Sequence, residues 1–136
     1  MPGPENPSRA APGRRASRER PRGGRRGARF LTLRLDSARR VFASDAQLAR
    51  ALGVDPSQVA RWRQGQQPDE QNADRLAGLD AVIEMLDGYL SPSRIAKWLS
   101  GPNANLGDRT PLAALRAGDL PAVIAAVRVL KSGAHA

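Results

Sequence analysis

Between Asn72 and Leu90 the apolar residues Leu76, Leu79, Val82, Ile83, Leu86 and Leu90 recur at steps of three and four, which lays one buried stripe along a helix. A stripe that long has to be covered, and the rest of the chain offers cover almost entirely as short helical pieces punctuated by Gly and Pro. Ser44 to Leu52 reads as a helix capped by Ser44 or Asp45, with Ala46, Leu48, Ala49 and Leu52 on one side and Gly53 at its end. After the break at Gly53, Val54 and Asp55, Pro56 opens a helix that runs through Val59 and Trp62 to Gly65. Ser91-Pro92 starts another, carrying Ile95, Trp98 and Leu99, and Gly101-Pro102 stops it. Two more are expected: Pro111 to Ala117, capped by Thr110, and Pro121 to Lys131, preceded by Asp119 or Leu120 and followed by Gly133. From Phe30 to Phe42 the apolar residues fit either a short strand leading into a helix or one helix throughout. Strand signals are otherwise nearly absent, there is no internal repeat, and the predicted fold class is all-α.

Charge is divided unevenly. Residues 1–29 hold nine arginines against Glu5 and Glu19, which leaves thirteen basic and eleven acidic residues of the chain's 22 and 13 for everything after. That first segment has no aliphatic side chain larger than alanine after Met1, so it cannot bury enough surface to offset ordering entropy and is expected to be disordered. It is either an arm that attracts DNA phosphates or a solvated tail, an extension from a misassigned start included. With no cysteine, disulfides and thiolate metal sites are excluded, and a reducing cytoplasm is the expected location. No apolar run approaches the roughly 20 residues a bilayer demands, and the N-terminus lacks a signal-peptide stretch, so no membrane role is expected. The only histidine is His135, which precludes a histidine-based triad or a multi-histidine metal site. The pairs Asp69-Glu70 and Glu84 with Asp87 read as solvated surface, and Gly23-Gly24 lies in the arginine-rich tail instead of between a strand and a helix. The chain is expected to be no enzyme and to need no cofactor or metal.

Asp45 to Gly65 meets the steric demands of a helix pair that reads DNA: Ala49 is small where the two helices cross, and Gly53 permits the turn. Leu48, Leu52, Val54, Val59 and Trp62 form the shared core of this arrangement, leaving Ser57, Gln58, Arg61 and Arg63 to point outward from the second helix. Arg61 suits guanine, Gln58 adenine, and Ser57 a phosphate or base edge. The competing reading makes the pair a packing or dimerisation element. Through Leu48-Ala49, Gly53-Val54, Val59, Trp62 and Gly65 the segment resembles the Xre, or Cro/repressor-like, helix-turn-helix, for which a two-fold dimer on operator DNA would follow.

Further on, Trp98 to Asn103, Asn105 to Leu112 and Leu115 to Asp119 are similar to the signature of the Xre/MbcA/ParS toxin-binding domain, so that the resemblance covers about residues 40–133. Each part also has a local reading. Asn103 or Asn105 satisfies backbone groups in the loop, Gly107 supplies an unusual backbone angle, and Asp108 stands where relatives often have a second glycine. With the arginine-rich tail over 1–29 set apart by its composition, the chain is expected to hold a helix-turn-helix region over 30–75 and a connecting helix with the toxin-binding domain over 76–136. The resemblance implies a type II antitoxin that blocks the nucleotide cleft of a RES-domain toxin, an enzyme that consumes NAD or transfers ADP-ribose, and that autoregulates its operon. The toxin-facing residues it implies are Asn103, Asn105, Arg109, Arg116, Arg128, Lys131, Ser132, His135 and Ala136. For Arg109 and Arg116 an intramolecular salt bridge or helix-end contact is the alternative. In the last helix Val123 and Val127 are expected inside. The alternative function is a stand-alone helix-turn-helix regulator.

Overall fold

The computed structural model describes residues 29–133, all of whose regular elements are helical. A first helix, α1, covers 29–39, so the Phe30 to Phe42 stretch holds a helix and no strand; a turn then leads into the next element. The following helices are α2 (Asp45–Leu52), α3 (Pro56–Arg63), α4 (Glu70–Leu86) and α5 (Pro92–Ser100). A 3-10 turn at Ala104–Leu106 precedes α6 (Pro111–Arg116) and α7 (Leu120–Ser132).

Capping fixes most of these boundaries. Ser44 is the residue that caps α2, its hydroxyl accepting from the Gln47 amide at 3.1 Å while Gln47 Oε1 accepts from the Ala43 amide at 3.1 Å. Asp69 caps α4 through the Asn72 amide, Ser91 caps α5, and Thr110 caps α6 through Ala113. Asp119 precedes α7 without a side-chain cap of its own. At Gly53 the backbone enters the left-handed region, φ 75°, and closes α2 with bonds to the Ala49 and Arg50 carbonyls.

The central helix starts and stops earlier than the apolar spacing suggests. It begins at Glu70 and ends at Leu86, because Asp87 turns extended and Gly88 takes φ 82°. Leu90 therefore sits beyond the helix and packs against the core from the connection to α5. Asp87, also outside the helix, meets Arg40 at 3.7 Å with both side chains exposed. At this end of the molecule the Tyr89 hydroxyl donates to the Leu130 carbonyl at 3.1 Å, and Lys131 Nζ donates to the Met85 carbonyl at 2.6 Å, tying the end of α7 to the end of α4.

One apolar cluster serves every helix. It takes Leu31, Leu35 and Ala38 from α1, Leu48, Leu52, Val59 and Trp62 from α2 and α3, and Leu76, Leu79, Val82, Ile83 and Leu86 from α4. Ile95 and Leu99 of α5, Leu112 and Leu115 of α6, and Val123, Ala126 and Val127 of α7 complete it. Val123 and Val127 are fully buried, as their spacing predicts. The position 75/76 falls inside α4, which packs on α2, α6 and α7 and so belongs to both halves of the chain. No helix among the described residues is long and apolar enough to cross a membrane.

Candidate functional site

Helices α2 and α3 pack directly on each other across the short turn at Gly53, Val54 and Asp55. Ala49 is fully buried at the crossing, Leu48, Leu52, Val59 and Trp62 are sealed beneath it, and Val54, half-buried, bonds back to the Ala49 carbonyl at 2.9 Å. On the outer side of α3, Ser57 and Arg61 are exposed one helical turn apart, and Gln58 beside them is half-buried. The Arg61 side chain makes no hydrogen bond or ion pair with another described residue, so its guanidinium is available to an external acceptor.

Arg63 is differently placed. Its Nε and Nη2 donate to the two carboxylate oxygens of Asp45 at 3.1 and 3.0 Å, and Nη1 donates to Asp36 Oδ1 at 2.7 Å. Arg39 adds a fourth bond, to Asp45 at 3.1 Å. The Arg63 hydrogen bond and charge, with those of Arg39, outweigh partial burial and hold the Asp45 carboxyl below the ordinary carboxylate range. Asp45 in turn raises the already high pKa of Arg63, which stays cationic. Arg63 thus joins α1, α2 and α3 and holds α3 in place. The sequence offers a signal for this in hindsight: Asp45 stands at the start of one helix and Arg63 at the end of the next.

The second candidate region begins at the loop after α5. Asn103 donates its amide to the Arg109 carbonyl at 3.0 Å, its own carbonyl accepts from Asp108 at 2.9 Å, and its side chain accepts from the Asn105 amide at 2.9 Å. Gly107 and Asp108 both adopt positive φ, 65° and 67°, so the aspartate takes a left-handed conformation that glycine adopts more readily. Arg109 donates to the Leu106 carbonyl and to Asp119 Oδ2, each at 3.1 Å, which fastens the loop to the start of α7. Arg116 donates to the Ala51 carbonyl at 3.0 Å, and Arg75 donates to the Arg116 carbonyl at 3.0 Å.

Most of the polar residues assigned here from the sequence are therefore occupied within the chain. Asn103, Arg109, Arg116 and Lys131 all bond internally, and the Ser132 hydroxyl donates to the Val129 carbonyl at 2.7 Å. Asn105 and Arg128 are exposed, and neither side chain has a hydrogen-bond partner among the described residues. His135 and Ala136 lie outside the described residues, as does the tail up to residue 28. The contacts of Arg116 and Lys131 had no local signal, since their partners are 65 and 46 residues away. Among the described residues no group of three or more His, Asp and Glu could hold a metal ion.

No family model matches the sequence, and neither does any curated protein. Among solved structures, the chain is similar to one in the crystal structure of the M. tuberculosis MbcT-MbcA toxin-antitoxin complex. The two share 25% identity with a TM-score of 0.65, over 76% of this chain and 95% of that one. That coverage leaves little of the other chain unmatched, and it gives this helical arrangement as a toxin-antitoxin antitoxin fold related to MbcA.

Proposed function

We propose that this chain is the antitoxin of a type II pair: its C-terminal half binds and blocks a RES-domain toxin, and its helix-turn-helix reads operator DNA to regulate the operon. The observation that carries the proposal is the structural similarity to a chain from a toxin-antitoxin complex, which extends over 95% of that chain. In this reading the protein acts by occupying surfaces and not by chemistry, in keeping with its likeness to a non-catalytic antitoxin.

The side-chain geometry narrows which residues would do each job. For DNA, Arg61 supplies the base contact, with Ser57 and Gln58 beside it, and Arg63 acts behind them by fixing the angle of α3. For the toxin, Arg128 and Asn105 are the contacts with donors to spare, and they lie on α7 and on the loop that packs against it. The exposed line of α7 through Pro121, Ala125 and Arg128 extends that surface. The two-fold dimer that paired half-sites demand is part of the same reading.

The test is co-expression with the product of the adjacent gene. The proposal expects a stable complex and relief of the neighbour's toxicity, both weakened by Arg128→Glu while the free protein keeps its melting temperature. Removing residues 120–136 is a poor substitute, because it also strips Val123, Ala126 and Val127 from the core. A harmless neighbour that forms no complex would leave a stand-alone regulator as the better account.

A further inference from the structure

A groove of about 330 Å³ opens between α2, the end of α5 and the start of α6, with Phe42 and Leu112 in its lining. Its polar residues are Gln47, Arg50, Ser100, Thr110 and Arg116, and no carboxylate lines it. Two neighbouring grooves that also contain arginine do include acids: Asp74 in one, and Asp36, Asp80 and Glu84 in the other. Neither guanidinium in this groove has an ion pair among the described residues, although Arg116 also borders the groove that holds Asp74.

The hydrogen-bonding state of the lining points the same way. Gln47 Oε1 already accepts from the Ala43 amide, which leaves its two N–H donors. Thr110 Oγ1 accepts from the Ala113 amide, which leaves its O–H. Arg116 spends Nη1 on the Ala51 carbonyl and keeps its other donors, and the exposed Arg50 side chain has no hydrogen bond or ion pair among the described residues. The acceptors are thus largely used and the donors largely free. A surface of that kind is matched by an anion rich in acceptor oxygens.

We propose that this groove is an anion site for a phosphate group, carried by a small phosphorylated molecule or by a nucleic-acid backbone. Arg50 and Arg116 supply charge and planar donor pairs suited to phosphate oxygens, and the hydroxyls and amide complete the shell. The volume is near the lower end of ligand sites, about 300–1,000 Å³, enough for a phosphate and a modest appended group. The small-molecule source is independent of the antitoxin reading, whereas the backbone source rests on its DNA-binding part.

The test is a titration of the full-length chain, followed by NMR at constant ionic strength, with inorganic phosphate in one arm and a short DNA duplex in the other. Saturable shifts at Gln47, Arg50, Thr110 and Arg116 are expected in at least one arm, with affinity falling about tenfold in Arg50→Gln. That substitution removes an exposed, unpartnered side chain, so the fold survives it; Arg94→Gln on α5, outside the groove, is the matched control and leaves the affinity unchanged. Saturation by inorganic phosphate identifies a small phosphorylated molecule as the source, and saturation by the duplex alone identifies the backbone. The absence of saturable shifts at these four residues in both arms overturns the proposal, as do shifts that Arg50→Gln leaves intact.

Discussion

Arg61 and Arg63 are two positions apart in sequence and have opposite roles in the structure. Arg61 is exposed and unpaired, whereas Arg63 is spent on Asp45 and Asp36. Arg63→Ala is therefore expected to lower stability by about 1 kcal/mol, the scale of a partly exposed ion-pair network, while Arg61→Ala leaves thermal unfolding unchanged and, under the proposed function, weakens operator binding. The pair with Asp45 also sets an acid dependence. Because the Asp45 carboxyl is held below its ordinary value in the folded protein, the unfolded chain takes up its proton first as pH falls. Its contribution is thus complete above the unfolded pKa of about 4 and disappears as pH drops through the lower folded value. Urea midpoints of wild type and Asp45→Asn should converge below about pH 4 and separate above it; curves that stay parallel would remove Asp45 from the acid limb.

At the scale of the element, stop signals matter as much as apolar spacing. Gly53 holds φ 75°, and a β-carbon there would meet Arg116 Cδ at 2.7 Å. Gly53→Ala should cost about 1–2 kcal/mol through the left-handed backbone alone, read as a fall in melting temperature, and a wild-type melting curve would show that the turn relaxes at no cost. Such local features were legible in the sequence: Gly53, Pro56, Thr110-Pro111 and Gly133 mark boundaries because each acts on its own backbone. The late stop assigned to α4 arose where two local signals competed, since Leu90 continues the apolar rhythm while Gly88 breaks the helix. Least legible were the roles of the charged side chains. Arginine at 63, 109 or 116 looks as free as arginine at 61 or 128 until distant elements are brought together, and only then does a carbonyl at Ala51 or a carboxylate at Asp119 come within reach.

Across the whole molecule, α4 decides whether the chain behaves as one unit or two. The sequence reading divides it at 75/76, between a helix-turn-helix and a partner-binding half, yet α4 runs unbroken through that point and contributes Leu76, Leu79, Val82, Ile83 and Leu86 to a single core. Arg116 adds a direct bond from α6 to the last turn of α2, and Arg75 of α4 holds the Arg116 carbonyl. Two halves joined this way have no independent cores to melt separately. The chain carries a reporter in each: Trp62 in α3, 2% exposed, and Trp98 in α5, half-buried. Urea unfolding of Trp98→Phe followed at Trp62, compared with Trp62→Phe followed at Trp98, would need correction for the stability each substitution removes. Circular dichroism on the same samples supplies that correction, and within each variant the fluorescence and helix signals should share one midpoint. If the Trp62 signal is lost at lower urea than the helix signal, α2 and α3 open ahead of the rest, and the proposed toxin surface on α7 would then persist while the proposed DNA-reading part is unfolded. A shared midpoint means that α4 and Arg116 couple the two surfaces, so that stabilisation by a ligand at either one protects the whole chain from unfolding.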